Sequence, residues 1–344
     1  MKKILALLLA AAFVLSAAPL TGVSAQGGLG SEDNPIQVYF VPSVDAQVIV
    51  EGGEIMAQAL QEATGLHYEV FVPTSYAATI EAMCAAPENS MGFIPAAGYV
   101  LAHDRCGVEV GAAAVRFGWP VYWAQYLVRR DSDIFTFGDL EGKTWGYGDP
   151  TSTSGFIVPS VELQAAGIEV GDTVETGGHN QTVLAVYNGE VDFGTTYFSP
   201  PLMPEGHAPW NYGDLPEPYD LTVDESYIGE DGKLYVGDIR IMDARASVRE
   251  TAPDVVDQVR ILRLSDPIPN DTLSFGPDFP PELRQQIIDA LIAFSETEAW
   301  DQSIGSEDFY SWSTLQPITD DVFDSVRLQF EILGMTEEDV FGEG

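Results

Sequence analysis

Apolar residues dominate the first stretch of the chain, from Ile4 to about Leu20, behind a charged Met1-Lys2-Lys3 start and ahead of Val23-Ser24-Ala25. A positive start, a short apolar core and small residues at its end predict a secretory leader, with cleavage expected near Ala25. Residues 26–34 are polar and Gly-rich, a flexible lead-in. Residues 36–41 then have strand character and end at Pro42. Residues 46–64 carry apolar positions at helical spacing (Val48, Ile55, Leu60, Ala63) and stop at Gly65. A second strand is predicted over 68–72, a second helix over 75–83 and a short buried strand over 91–94. Strand and helix thus alternate, which predicts an α/β lobe built on a largely parallel sheet.

The pattern repeats further on. Residues 121–129 read as a strand leaving the first lobe, and 144–147 as a strand followed by a helix to about Ala166, with Gly167 as its stop. A helix over 182–188 and a strand over 191–194 complete a second α/β unit. Residues 199–238 are rich in Pro, Gly, Tyr and Asp, lack periodicity, and read as an insertion. Residues 253–264 pass from helix to strand, 266–271 form a turn-rich return, 283–294 are strongly helical, and a helical tail runs over 322–333. The expected lobes are 35–125 with 265–344, and 126–264, with a ligand cleft between them.

Removing 25 residues from 344 leaves about 319, the length of about two domains. The two lysines of the leader leave 13 basic residues against 53 acidic, a formal charge of −40. That charge argues against nucleic acid and anionic membrane surfaces as partners, since both are polyanions. It does not forbid a small anion, because fields are screened beyond ~8 Å at physiological salt and local donors decide binding. No Cys follows the leader's apolar run, so a lipid anchor is not expected, and no later run reaches the ~20 apolar residues of a membrane span. Cys84 and Cys106 form either a disulfide or two buried thiols. Neither has zinc-like spacing with His67 or His103, and no metal or cofactor is expected.

One stretch concentrates chemistry: Asp149-Pro150-Thr151-Ser152-Thr153-Ser154-Gly155, with apolar Phe156, Ile157 and Val158 directly behind it. Hydroxyls before an apolar run mark a helix N-terminus, where free backbone N–H groups and the helix dipole favour an anion. An ordinary N-cap needs one hydroxyl; four predict an oxyanion cage that uses no formal positive charge. Arg129-Arg130 reads as a solvated pair near the crossover between lobes. No Gly-x-Ser-x-Gly elbow, His-Glu-x-x-His, P-loop or Gly-x-Gly-x-x-Gly stands in the chain, so no enzyme is expected.

Several segments, in order, resemble the PhnD-like periplasmic substrate-binding proteins of phosphate/phosphite/phosphonate ABC transporters. They are Thr64-Gly65, Tyr76-Ala77-Ala78-Thr79-Ile80-Glu81-Ala82-Met83, Asp139-Leu140-Glu141-Gly142-Lys143, the hydroxyl stretch with Pro159, Gly177-Gly178-His179, residues 185–192, and Ile268-Pro269-Asn270. The resemblance spans roughly residues 36–295. It implies an α/β, type II periplasmic-binding-protein fold whose two lobes are joined by a hinge and close over ligand. It also implies phosphonate-oxygen ligands at Ser152, Thr153 and Ser154, a first-lobe tyrosine at Tyr76 and a cleft histidine at His179. A further cleft aromatic is implied at Tyr122, with Trp123 the alternative register, and a lining residue at Asp271.

The chain departs from the family at Asn180, where Asp is common, and at Thr195-Thr196-Tyr197-Phe198, a region that is acidic in aminophosphonate-binding members. The 199–238 insertion has no family counterpart. The implied function is an exported, monomeric solute-binding component of an ABC importer, periplasmic or secreted, that captures a phosphonate, phosphite or related oxyanion for a permease. The alternatives are a type II receptor for a sulfonate or a thiamine-precursor pyrimidine, and a secreted hydrolase.

Overall fold

The computed structural model describes residues 27–334; the leader, with its expected cleavage near Ala25, and residues 335–344 lie outside them. The chain first forms β1 (Ile36–Phe40), α1 (Ala46–Thr64), β2 (Tyr68–Phe71), α2 (Tyr76–Ala85), β3 (Ser90–Ile94), α3 (Ala96–Cys106) and β4 (Glu109–Val115). Asp45 starts α1 by accepting from the backbone N–H groups of Gln47 and Val48 at 2.9 and 3.4 Å, and Gly65, at φ 73°, ends it. The buried face of α1 carries Ile49, Gly52, Gly53, Met56 and Leu60, rotated from the face that Val48 and Ile55 define. The glycines set this rotation. A Cβ on Gly52 would lie 2.7 Å from Phe309 Cδ1, so the Phe309 ring packs directly on the helix backbone.

The chain crosses over residues 116–120 into β5 (Val121–Arg129), β6 (Trp145–Tyr147), α4 (Val158–Ala166), β7 (Thr173–Glu175), α5 (His179–Asn188) and β8 (Phe193–Phe198). Three short strands, β9 (Ser226–Ile228), β10 (Leu234–Val236) and β11 (Ile239–Arg240), precede α6 (Val255–Gln258), β12 (Val259–Leu264) and β13 (Ile268–Pro269). The return runs through Asn270 and Asp271 into β14 (Thr272–Phe275), α7 (Pro281–Phe294), β15 (Thr314–Pro317) and α8 (Asp324–Leu333).

Two six-stranded sheets result. The first has the order β15-β4-β14-β3-β1-β2 and the second β12-β5-β8-β6-β7, with β13 on β5. In the first sheet β2, β1 and β3 are parallel, as the alternation predicts, with Val38 opposite both Val70 and Met91. The remaining pairings are antiparallel: β14, entering from the far lobe, runs between β3 and β4 and opposite to both, and β15 runs opposite to β4 at the edge. From Val121 to Arg129, β5 pairs only with strands of the second side, so residues 121–125 stand beyond the crossover rather than with 35–120. Asn270 is fully buried and donates to the carbonyls of Ala114 and Trp119 at 3.0 and 2.9 Å, which ties the two crossovers together.

The 199–238 stretch is not structureless. It contains β9 and β10 of a small antiparallel sheet that β11 completes, and an ionic network anchors it. Glu217 accepts from Arg130 at 2.8 Å and from Arg245, whose fully buried guanidinium also reaches Asp243 at 2.9 Å. Arg129 and Arg130 are therefore not a solvated pair near the crossover. They end β5 at its far end, Arg129 bonded to Asp131 at 2.9 Å and Arg130 to Glu217 and the Val256 carbonyl. Cys84 and Cys106 are disulfide-bonded and join the last turns of α2 and α3. Among the described residues, no helix is long and apolar enough to cross a membrane.

Candidate functional site

Between the lobes lies a cavity of about 40 Å³ lined from both sides and from both crossovers. The first lobe contributes Tyr76, the opening residue of α2. Ser75 caps that helix by accepting from the Ala78 N–H at 3.1 Å, which places the Tyr76 ring, nearly fully buried, in the cleft. Burial first, then the nearby Tyr310, Asp149 and Asp271, hold its phenol well above the usual tyrosine range, so it remains a donor. Tyr122, on β5, lines the cavity. Burial and then Asp271 push its pKa up as well. Strand alternation turns Trp123 to the opposite face, against Trp119 and Trp210 at 5.5 and 5.2 Å. The two registers are thus separated: Tyr122 faces the cleft and Trp123 the core.

The hydroxyl stretch is fully buried, but its side chains do not all converge. Thr151 Oγ1 donates to Asp149 Oδ1 at 2.6 Å. Ser152 Oγ accepts from the Gly155 N–H at 3.1 Å and caps the turn that follows, and its side chain lines the cavity with that of Ser154. Thr153 does not line it. Its Oγ1 accepts from the Ala97 N–H of the first lobe at 2.9 Å. The helix also starts as a single π turn over Thr153–Ile157, with both Phe156 and Ile157 N–H groups directed at the Ser152 carbonyl. Pro159, which has no N–H to give, follows inside the first turn of α4.

His179 opens α5 beneath this turn. The loop before it can approach closely because Gly148 and Gly178 meet backbone to backbone; a Cβ on Gly148 would lie 3.0 Å from Gly178 Cα. The imidazole and the Tyr197 ring are nearly perpendicular with centroids 5.1 Å apart, and the histidine's buried Nδ1 has no hydrogen-bond partner among the described residues. Burial, then the Arg116 guanidinium, push its pKa down to about 4. The histidine is therefore neutral at physiological pH.

The residue that sequence reasoning missed is Arg116. It closes β4 at the first crossover, lines the cavity, and donates to Asp271 on the second crossover. Both side chains are nearly buried, and Arg116 Nε has no partner among the described residues. The cage therefore does include a formal positive charge, balanced by the Asp271 carboxylate. The signal was faint: Gly111-Ala112-Ala113-Ala114 has neither β-branched residues nor contrast between faces, so β4 did not stand out. Tyr197, Ser199 and Tyr310 also line the site, and the Tyr310 hydroxyl donates to the Val41 carbonyl at 2.8 Å.

Hydroxyl, phenol, neutral imidazole and guanidinium donors thus face one small cavity. Among the described residues, no group of three or more His, Cys, Asp or Glu could hold a metal ion. The family described as ABC transporter, phosphonate, periplasmic substrate-binding protein matches residues 38–323. The chain belongs to that family. It is 34% identical over 146 residues to the phosphonates-binding periplasmic protein of Escherichia coli K12, covering 40% of this chain and 43% of that one. It is 28% identical over 176 residues to the phosphate-import protein PhnD of Mycolicibacterium smegmatis, covering 47% and 54%. The chain thus spans about half the length of the curated relatives it matches. PhnD1 of Prochlorococcus marinus, solved in complex with methylphosphonate, superposes with a TM-score of 0.64 at 12% identity, over 88% of this chain and 98% of that one. The shared architecture is the type II periplasmic-binding-protein fold.

Proposed function

We propose that this family member is an exported solute-binding protein that captures a small phosphorus oxyanion between its lobes and presents it to an ABC permease. The observation that carries the reading is the convergence of Ser152, Ser154, Tyr76, Tyr122, His179 and Arg116 on one interlobe cavity. A tetrahedral oxyanion has several acceptor oxygens, and charge-assisted bonds to it are about twice as strong as neutral ones. Among these donors only the guanidinium carries charge, and the Asp271 carboxylate balances it, so the site holds an anion without the grip of a lysine cluster. Names of relatives support the ligand class: one binds phosphonates, one imports phosphate, and one was solved with methylphosphonate.

Ligand contacts to both lobes would select the closed arrangement. A binding role is supported by the family, whose description is that of a substrate-binding transporter component. Release from a leader ending near Ala25 would place the protein in the periplasm or outside the cell. Isothermal titration with phosphite, methylphosphonate, phosphate and hypophosphite, and with sulfate and methylsulfonate as controls, tests the reading. Heat from a phosphorus oxyanion and none from the sulfur anions is expected; silence from all four phosphorus compounds would overturn it.

A further inference from the structure

The turn that carries the site hydroxyls has a carbonyl that lacks its regular helical donor. In an α-helix the Gly155 carbonyl would accept from the N–H of residue 159, and Pro159 has none. Thr195, fully buried on β8, donates to it instead through Oγ1. Strand alternation puts Thr195 on the face of β8 that also presents Tyr197, while Thr196 on the other face accepts from Gln125 Nε2 at 2.9 Å. Trp145 completes the arrangement. Its indole N–H donates to Thr195 Oγ1 at 2.8 Å, and its ring stacks on Phe156 of the turn with centroids 5.2 Å apart. The Thr195 oxygen is thereby engaged as an acceptor, and its proton is directed at Gly155. The Gly155 N–H in turn donates to Ser152 Oγ at 3.1 Å, which leaves the Ser152 proton for a ligand oxygen in the cavity. The fit is close: a Cβ on Gly155 would lie 2.9 Å from Ser152 Oγ.

We propose that Thr195, with Trp145 behind it, is a positioning residue for oxyanion capture: it supplies the donor that Pro159 withholds from the Gly155 carbonyl and so aims the Ser152 hydroxyl at the ligand. The inference rests on the phosphorus-oxyanion reading. Neither Thr195 nor Trp145 lines the cavity, so both act through the turn. A free hydroxyl rotor can accept as well as donate. The bonds from Trp145 to Thr195, Thr195 to Gly155 and Gly155 to Ser152 remove that freedom before a ligand arrives, which lowers the ordering cost of binding.

The test is calorimetric titration of the wild type and a set of variants with phosphite and methylphosphonate. Thr195→Val keeps the shape and removes the hydroxyl; affinity should fall about tenfold, the scale set by one unserved buried carbonyl. Thr195→Ser keeps the donor and should stay within about threefold of the wild type. Pro159→Ala returns an N–H to the helix, so adding it to Thr195→Val should restore affinity to within about threefold of Pro159→Ala alone. A hydroxyl that merely filled space would not be replaceable by an N–H on a different element. In a Ser152→Ala background, Thr195→Val should cost less than about threefold, because the hydroxyl it aims is gone. Trp145→Phe keeps the ring stack and drops the indole N–H; it should weaken binding about threefold, and it carries the test where Thr195→Val does not fold. Unchanged affinity in Thr195→Val or Trp145→Phe, a serine variant as weak as valine, no rescue by Pro159→Ala, or full additivity with Ser152→Ala would overturn the inference while leaving the ligand class standing. A wild type that binds neither compound would instead overturn the ligand class and the inference with it.

Discussion

Thr153, in the second lobe, caps a helix of the first: its Oγ1 accepts from the Ala97 N–H at 2.9 Å. The residue before α3, Pro95, offers no side-chain cap of its own. Four residues upstream of Thr153, Asp149 Oδ2 accepts from the Tyr76 N–H at the start of α2 at 3.3 Å. One second-lobe loop thus satisfies the terminal donors of two first-lobe helices, and separating the lobes would hand both donors to water. Thr153→Val keeps the shape and removes the acceptor. An N-cap is worth about 1 kcal/mol, and if the bond forms only on closure that loss appears as an affinity about fivefold weaker. The ligand-free melting temperature should barely move. A lowered ligand-free melting temperature with unchanged Kd would show that the bond belongs to the resting fold.

Arg116 and Asp271 separate charge recognition from hydroxyl recognition. Arg116→Met removes the site's positive charge and leaves Asp271 buried and unpaired; it should weaken oxyanion binding at least about tenfold and cost about 3–5 kcal/mol of stability. Asp271→Asn leaves the guanidinium in place and should bind the anion as tightly as the wild type or more so. Neutralising Arg129 or Arg130 should leave affinity unchanged, since both are committed at the far end of β5. Equal losses from Arg116→Met and Asp271→Asn in calorimetry would mean that the pair serves only to join the crossovers.

Much of the scaffold is legible in periodicity, and the losses have specific causes. Asp45 and Gly65 mark the ends of α1 plainly, and β1, β2 and β3 follow from short apolar runs bounded by Pro or Gly. The strands β4, β14 and β15 do not show, because β4 is Ala-rich and the other two are only four residues each, too short for an alternating pattern to stand out. In the site, Tyr76, Tyr122, Ser152, Ser154, His179 and Asp271 were legible through motif order, and all line one cavity. Arg116 and Tyr197 were not, since what they do depends on which elements meet across the cleft. Thr153 shows the converse limit: a hydroxyl row in sequence does not say which oxygen turns toward the other lobe.

The neutral imidazole makes stability depend on pH in a definite direction. His179 sits at about 4 in the fold, against an ordinary value near 6.5. Between those values the unfolded chain takes up a proton that the folded one refuses, so stability is full above about 6.5 and declines as pH falls toward 4. The decline is on the order of 3 kcal/mol if the whole shift is realised. Other carboxylates titrate over part of this range, so the difference between wild type and His179→Asn is the informative quantity. Urea unfolding at pH 7, 6, 5 and 4 should show the wild type losing stability more steeply than the variant. Parallel curves would mean that His179 is not held neutral by its surroundings.

The Cys84–Cys106 disulfide constrains the same two helices that meet the second lobe. Its partners are 22 residues apart and lie in the last turns of α2 and α3, whose first turns carry Tyr76 and the Ala97 N–H into the cleft. A closed loop of that length is worth about 3 kcal/mol through the unfolded chain, so Cys84→Ala with Cys106→Ala should lower unfolding free energy by about that amount. Binding should respond in a different way. Each helix keeps its own packing on the first sheet, so the geometry at the cleft should survive and Kd should weaken by no more than a few fold. The comparison is urea unfolding and calorimetry on the double variant against the oxidised wild type. A small stability loss with a large loss of affinity would show that the bridge acts chiefly by holding Tyr76 and Ala97 in register with the opposite lobe.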